Sequence, residues 1–417
     1  MAIRNPLVLP EIGEALVPFL TTDDLTRCVR VCKGWHASLI PFLWKVVDVA
    51  NDIAKQPQVA ALRRNIDYVR HLTYQGGVPK EHAILKFPAL RKLHLSISWE
   101  HDFGIIVEHP SLTHVTIHGA HAWVSWRPPD NLSNLTSLSL ILLVVDTHYK
   151  DTVWNMFSRL ESLELREVRM SGFPASATGS WKLKYMTLVS ISGLEAKEQL
   201  RWLKYSPHLR RLTWEPMYKQ TEDIVEEFTQ SIVANAWPGL EELNIPRFRR
   251  SDRQMSLIIG GMQRVRGLSI IYNQPFDSVK VALRPHFLWL WKLDAASISG
   301  NDSLFTIEIL MSCPQLEILR MGIVHVRDML ADDAPWACES SLRHLDVCFK
   351  VEADASEAEK RVLLERLSRL HNLKQLDLST RAFLVQSLDL RLESGLEQLA
   401  TLTQLEELNF SDDFEVV

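Results

Sequence analysis

The stretch Leu90-Arg91-Lys92-Leu93-His94-Leu95 carries the pattern Leu-x-x-Leu-x-Leu, and this pattern or a close apolar variant occurs fourteen times between residues 69 and 410. In each copy the last two apolar residues point to one side of an extended strand, because side chains alternate along a strand with period two. A single copy cannot bury these residues alone, so neighbouring copies must stack. The copies begin 21 to 32 residues apart, at Val69, Leu90, Leu112, Leu135, Leu160, Leu183, Leu209, Leu240, Val265, Leu290, Leu316, Leu342, Leu373 and Leu405.

Segments with helical spacing separate the strands. Residues 223–236 carry apolar side chains at i, i+1, i+4, i+8 and i+9, which predicts an amphipathic helix. Helices are also predicted over residues 195–205 and 357–370, and a more uniformly apolar, buried helix over residues 302–312. This alternation of strand and helix resembles the leucine-rich-repeat family. The resemblance implies an α/β leucine-rich-repeat solenoid, a horseshoe of about 13–14 degenerate repeats.

One feature of that family is missing from this chain. The family places an asparagine eight residues after the first apolar residue of each repeat. Ser98, Leu143, Phe248 and Arg381 stand at that position in four of the repeats. The sequence therefore does not predict a continuous ladder of buried asparagines.

The resemblance also predicts which residues form the concave face of the solenoid. They are the residues between the last two apolar positions of each copy, namely His94, Thr116, Ser139, Glu164, Thr187, Thr213, Asn244, Ser269, Asp294, Arg320, Asp346, Asp377 and Asn409. Three aspartates in the C-terminal part suggest a partner with a basic patch or tail. The alternative is that these polar side chains are simply solvated. The candidate substrate-binding residues are His94, Asp294, Arg320, Asp346 and Asp377.

The first 45 residues contain no copy of the repeat and have the signals of three short helices. Pro10 suits the first position of a helix, where its missing N–H costs nothing. Thr21 or Thr22 can cap a second helix. Leu25, Cys28, Val29 and Cys32 would share one apolar face of that helix. Gly34 is expected to break or bend it, and Pro41 is expected to end the helical run.

The order Leu-Pro-x-Ile, Asp-Leu-x-x-Cys, Val-Cys-x-x-Trp and Leu-Trp in residues 5–45 resembles the F-box family. The resemblance implies a docking module for the Skp adaptor of cullin–RING ubiquitin ligases. We therefore predict an F-box-like module over residues 1–48 and a repeat solenoid over residues 49–417. A helical cap on the solenoid is the alternative for the N-terminal residues. The residues implied in adaptor binding are Pro6, Leu9, Pro10, Ile12, Leu16, Leu20, Leu25, Val29, Cys32 and Trp35.

Composition limits the other classes of function. The formal charge is −5 over 417 residues, so no global field favours nucleic acid or a membrane surface. Five scattered cysteines suit a reducing compartment, and no apolar run approaches the roughly 20 residues that span a bilayer. We therefore expect the cytoplasm, the nucleus or both.

Catalytic and metal-binding motifs were not found. The sequence contains no phosphate-binding loop, zinc-protease or nucleophile-elbow motif. Cys28, Cys32 and His36 provide three ligands on one helix, whereas structural zinc prefers four. No metal, cofactor or catalytic residue is therefore predicted.

Together the two resemblances predict a non-catalytic substrate-recognition subunit of a Skp–cullin–F-box ubiquitin ligase. Its repeats would bind a protein substrate for ubiquitin-dependent degradation. One alternative is a protein that binds the adaptor but never recruits a cullin. The other is a leucine-rich-repeat interaction scaffold without a role in ubiquitin ligation.

Overall fold

The computed structural model describes residues 10–50, 52, 56–97, 109, 111–119, 124–126, 132–145, 150–170, 180–217, 221–246, 251–270, 277–295, 303–330, 334–350, 356–378 and 396–409. The chain divides into two compact units, the first covering residues 1–199 and the second residues 200–417. Within the described ranges, no helix combines the length and apolar character needed to cross a bilayer.

The first unit begins with helices α1 (Pro10–Leu16), α2 (Thr22–Cys28) and α3 (Lys33–Leu43), with a 3-10 turn at Val17–Phe19. Helix α1 starts at Pro10, as predicted. Thr21 caps α2, because its Oγ1 accepts a hydrogen bond of 3.2 Å from the Asp24 N–H. The Asp24 carboxylate in turn accepts from the Thr21 N–H at 3.1 Å, which completes a capping box.

Three predicted details of these helices are wrong. Gly34 does not break a helix but lies inside α3, as its second residue. Helix α2 ends at Cys28, so Cys32 does not extend its apolar face; Cys32 is instead the N-cap of α3, where its Sγ accepts from the Trp35 N–H. Pro41 lies inside α3 rather than ending the helical run. The helix continues past Pro41 because the Trp44 N–H still closes the last turn on the Ile40 carbonyl, at 3.1 Å.

The parallel sheet of the first unit contains one strand more than was predicted. Strand β1 (Val46–Val49) pairs in parallel with β2 (His71–Gln75), with Val47 opposite Leu72. Residues Trp44 to Val49 form a degenerate copy of the repeat, Trp-x-x-Val-x-Val, directly after α3. In sheet order the strands are β1 (Val46–Val49), β2 (His71–Gln75), β3 (Lys92–Ile97), β4 (His114–Gly119), β6 (Ser137–Ile141), β8 (Ser162–Arg166) and β9 (Tyr185–Val189); β5 (Val124–Trp126) pairs separately with β7 (Leu143–Val145).

The second unit repeats the same parallel order. Each of the fourteen predicted copies overlaps a strand, and within a unit the fourth residue of a copy lies opposite the fourth residue of the next copy, as Leu243 lies opposite Leu268. The strands are β10 (Arg211–Glu215), β11 (Glu242–Ile245), β12 (Gly267–Ile270), β13 (Lys292–Asp294), β14 (Ile318–His325), β15 (His344–Lys350), β16 (Gln375–Asp377) and β17 (Glu407–Asn409).

Helices or 3-10 turns connect many of these strands. The helices are α4 (Val59–Arg64), α5 (Lys80–Ala83), α6 (Lys150–Phe157), α7 (Ala196–Lys204), α8 (Glu222–Val233), α9 (Asp252–Gly261), α10 (Asp277–Leu283), α11 (Ser303–Ser312), α12 (Val326–Leu330) and α13 (Glu357–Ser368), with 3-10 turns at Ile66–Tyr68, Arg284–Trp289 and Leu396–Thr401. The four helices predicted between strands are confirmed as α7, α8, α11 and α13, to within a few residues at their ends. The architecture is an α/β repeat solenoid.

Backbone hydrogen bonds occupy the place of the missing asparagines in three consecutive repeats. Leu142, Glu167 and Ser190 follow β6, β8 and β9 directly, and each adopts a left-handed φ of 50–56°. The next residue of each repeat, at the family's asparagine position, is a buried apolar side chain: Leu143, Val168 and Ile191. There the backbone pairs across repeats, since the Arg169 N–H donates to the Leu143 carbonyl at 2.8 Å and the Ser192 N–H to the Val168 carbonyl at 3.0 Å. Buried backbone groups are thus satisfied without an asparagine side chain.

Replacing Gly193 with Ala is expected to destabilise the first unit. Gly193 has φ +82°, and a Cβ there would lie 2.2 Å from the Met170 carbonyl oxygen. Left-handed backbone and the clash together predict a loss of roughly 3 kcal/mol in the free energy of unfolding. The control is Gly260→Ala in α9, where a Cβ would meet nothing within 4 Å. That change is expected to stabilise by about 0.5–1 kcal/mol. Chemical denaturation measures both, and a harmless Gly193→Ala would contradict the geometry.

Candidate functional site

The N-terminal helices enclose a very small core. Leu25, Val29 and Leu39 are its buried residues, with 6–9% of their surface exposed. Leu20 and Trp35 are partly buried against them, together with Val17, Cys28, Ile40, Phe42 and Leu43. A core of this size contributes little stability of its own, so burial on a partner would add substantially to it.

The residues predicted to bind the adaptor fall into three groups. Pro6 and Leu9 lie outside the described residues, as does the side chain of Pro10, whose backbone begins α1. Leu25 and Val29 are buried in the core, so they can support a docking surface but not form its outer face. The remaining residues have accessible surface: Leu16 and Cys32 are exposed, and Ile12, Leu20 and Trp35 are half-buried.

Two exposed apolar residues of this module were missed by the sequence analysis. Phe19 in the 3-10 turn is 83% exposed, and Val31 in the turn after α2 is 63% exposed. With Leu16, which is 41% exposed, they form what we call the exposed apolar set. Phe19 lies between Pro18 and Thr21, in the segment that joins α1 to the N-cap of α2. Its position in this connecting segment was the sequence signal that could have predicted its exposure.

The strand register aligns the predicted central row of polar residues. In the first unit, His94 lies between Thr73 and Thr116, and the row continues through Ser139 and Glu164 to Thr187. In the second unit, consecutive strands bring Thr213, Asn244, Ser269, Asp294, Arg320, Asp346, Asp377 and Asn409 side by side. Each unit therefore has a continuous polar row, in which only Ser139 and Ser269 are buried.

Ion pairs moderate the acidic end of the row in the second unit. The Arg320 guanidinium lies 3.6 Å from an Asp294 carboxylate oxygen and 3.9 Å from one of Asp346. Asp377 is opposite Asp346 on the next strand. Arg320 thus offsets much of the negative charge that the sequence analysis assigned to this row, and a basic partner would compete with Arg320 for the same carboxylates.

A shallow pocket interrupts the sheet face of the second unit. Its lining includes Asn244, Gly267, Ser269, Trp291 and Lys292. The Oδ1 atom of Asn244 is buried and accepts no hydrogen bond within the described part of the chain. The pocket has room for one small side chain of a bound polypeptide.

The described residues give little material for catalysis. They contain no group of three or more His, Cys, Asp or Glu side chains arranged to hold a metal ion. All five cysteines are free, and Cys313, Cys338 and Cys348 are buried. Burial raises the pKa of the Cys338 thiol to about 12 and also raises the pKa of Cys313, which keeps both thiols protonated and unreactive.

Leu25→Ala and Phe19→Ala are expected to affect the N-terminal module differently. Leu25→Ala opens a cavity in its small core and should cost about 2–5 kcal/mol of local stability. Phe19→Ala removes a side chain that contacts mainly solvent and should leave stability almost unchanged. Hydrogen exchange of α1–α3 separates the two, with faster exchange expected only for Leu25→Ala. Equal acceleration in both variants would show that Phe19 belongs to the core.

Known proteins resemble this chain only weakly. No protein-family profile and no curated protein sequence matches the chain. A leucine-rich-repeat protein of Leptospira interrogans is similar with a TM-score of 0.42 and 14% identity, over 85% of this chain and 86% of that one. TLR13 in complex with ssRNA13 is similar with a TM-score of 0.33 and 14% identity, over 82% of this chain and 43% of that one. The assignment of the α/β repeat fold rests on the strand register and the buried apolar ladder of this chain.

Proposed function

We propose that this protein is a substrate-recognition subunit of a Skp–cullin–F-box type ubiquitin ligase, in which the N-terminal helices dock on the Skp adaptor and the repeats bind a protein substrate. The observation that carries the proposal is the exposed apolar set. Leu16, Phe19 and Val31 stay in solvent on a module whose described part has three buried core residues. A small module that leaves three large apolar side chains exposed offers a surface that a partner can cover.

The order of residues in the module supports the choice of partner. Residues 5–45 resemble the F-box sequence, and three short helices lie within residues 10–43. In the proposed complex, Leu16, Phe19, Val31 and Cys32 contact the adaptor, and Leu25 and Val29 hold α2 and α3 in position. Pro6, Leu9 and Pro10 join the interface as the sequence resemblance implies. The adaptor and cullin would place the protein in the cytoplasm or nucleus.

The repeats would act as the receptor for the substrate. Each unit offers a polar row on parallel strands, and a repeat surface of this kind is suited to binding another polypeptide. In the proposed role the protein supplies proximity, raising the effective concentration of a substrate lysine near the conjugating enzyme. The catalytic steps belong to other subunits.

The adaptor interface is tested by binding of the purified full chain to a purified Skp-type adaptor. The wild type should bind, and Phe19→Ser/Val31→Ser should bind at least roughly tenfold more weakly, because two exposed apolar anchors are lost. Leu9→Ala/Pro10→Ala is expected to weaken binding as well. Calorimetry or a surface-binding assay gives the affinities.

The matched control is Val281→Ser/Leu304→Ser, which removes two apolar side chains of similar exposure, 64% and 68%, from α10 and α11 in the second unit. This control should bind the adaptor like the wild type. No binding by the wild type would reduce the N-terminal helices to a solenoid cap, and the protein would then be an interaction scaffold with no role in ubiquitin ligation. Addition of cullin to the complex separates a ligase subunit from a protein that only binds the adaptor.

A further inference from the structure

The residue that immediately precedes each strand forms a second aligned row, which we call the edge row. Backbone hydrogen bonds fix its alignment: the Arg70 N–H donates to the Lys45 carbonyl at 3.0 Å and the Arg91 N–H donates to the Arg70 carbonyl at 2.8 Å. The same bonding places Thr113 next to Arg91 and continues through Thr136 and Glu161 to Lys184 in the first unit. In the second unit the edge row is Arg210, Glu241, Arg266, Trp291, Glu317, Arg343, Lys374 and Glu406.

In most of the edge row, neighbouring charges have opposite sign and form ion pairs. Lys184 lies 2.9 Å from Glu161, and Lys374 lies 2.6 Å from Glu406. The pairs Arg266–Glu241 and Arg343–Glu317 follow the same rule, at 3.7 and 3.8 Å. The repeats therefore pair charges across neighbouring strands wherever the edge row carries an acid.

The first repeats carry no acid in the edge row. Lys45, Arg70 and Arg91 are three consecutive cations in the edge row, and Lys92 adds a fourth in the adjoining position of β3. Within the part of the chain that the structure describes, none of the four forms an ion pair; the Arg70 guanidinium donates to the backbone carbonyl of Asp67. Like charges on neighbouring strands destabilise a sheet, so the arrangement carries a cost that a bound anion would remove.

Four histidines surround these cations. His71 and His114 flank Lys92 in its row, and His94 and His118 lie further along β3 and β4. The four cations and these four histidines are hereafter the cationic patch. Strands β1–β4 are described in full, and Asp48 is their only carboxylate. The next strand, β6, brings Ser137, Ser139 and Ile141 to this face and adds no charge.

The groups of the patch affect one another electrostatically. Partial desolvation, and then the charges of Lys92, Lys45 and His114, lower the pKa of His71. Partial desolvation and Lys92 likewise lower the pKa of His114. For His94, partial desolvation and His118 lower the pKa, while Asp48 opposes them. These three histidines are therefore neutral at neutral pH and become charged only on acidification or when an anion arrives.

We propose that the cationic patch binds a short acidic segment of a protein partner, lying in extended form across strands β1–β4. The proposal rests on the function proposed above in one respect, namely that the repeats hold a polypeptide. Strands lie about 4.8 Å apart, so four of them span about 14 Å, which about five extended residues would cross. Acidic side chains at that spacing can meet Lys45, Arg70, Arg91 and Lys92 in turn.

The test uses the full chain and a tetramethylrhodamine-labelled peptide with about five consecutive aspartates, the length that matches the four strands. Fluorescence anisotropy at low ionic strength should show binding that weakens with added salt. Arg91→Gln/Lys92→Gln should bind roughly tenfold more weakly, since two charge contacts are lost. The matched control is Arg63→Gln/Arg64→Gln, an adjacent exposed basic pair on α4 in the same unit, and it should bind like the wild type.

Acidification provides a second readout. Aspartate stays ionised at about pH 5.5, so any gain in affinity between about pH 7.5 and 5.5 comes from the protein. Bound carboxylates favour the charged form of His71, His94 and His114. Because binding is then coupled to proton uptake, the affinity for the peptide should rise roughly fivefold or more between these two pH values. His71→Gln/His114→Gln should bind normally at neutral pH and lose most of that gain. A gain that is unchanged in this variant would overturn the role of the histidines.

Three results would overturn the patch itself. They are no binding of the peptide by the wild type, equal loss in the patch and control variants, and tighter binding of a single-stranded oligonucleotide of matched charge than of the peptide. Each is separable from the adaptor interaction, because the peptide assay contains no adaptor and the residues changed in the adaptor assay lie outside β1–β4. A chain that binds the adaptor but not the peptide refutes the patch alone.

Discussion

Burial of the apolar ladder between neighbouring repeats is the interaction on which the rest of the structure depends. Leu163 is almost fully buried because Leu138 stands on one side of it and Met186 on the other. Each such leucine contributes about 1.5–3 kcal/mol only while its neighbours are in place. A shift of one residue in any strand would turn these side chains into solvent and bring charged ones inside. The register, and with it every surface row, follows from this requirement.

Because the ladder fixes the rows, the chemistry of each row can vary along the chain without changing the fold. The second unit uses this freedom to alternate charges, as in Glu317 and Arg343, or to place Arg320 between two aspartates. The first unit gathers cations in its first repeats. The N-terminal helices precede that region directly, since α3 ends at Leu43 and Lys45 already belongs to the cationic patch. Under the functions proposed, an adaptor and an acidic partner segment would be bound by adjoining parts of one unit.

The N-terminal module shows where sequence patterns are sufficient and where they are not. The start of α1 at Pro10 and the cap at Thr21 depend on local chemistry, and both were predictable. The end of α2 at Cys28 was not, because the apolar spacing continues to Cys32 while the chain turns away to bury Leu39 against Leu25. Local spacing cannot distinguish a continued helix from a turn that packs a second helix on the first.

The candidate sites were predictable to a similar degree. The central polar row could be written down from the repeat, since its members occupy a fixed place between two apolar residues. The cationic patch could not be predicted, because it depends on which residues become neighbours across strands. Lys45, Arg70 and Arg91 are each more than 20 residues apart in the chain, and only the strand register brings them side by side. Strand β1 was missed for a related reason, as its copy of the repeat starts with tryptophan and uses valines.

The sequence by itself determined the class of fold, the position of fourteen strands and the order of residues along each strand face, because apolar periodicity is a local property that stacking must respect. Tertiary structure alone decided which charges meet, which apolar side chains of the first helices remain in solvent, and how the backbone is satisfied where asparagine is missing. Those outcomes depend on distances between residues of different repeats, and no local pattern encodes such distances.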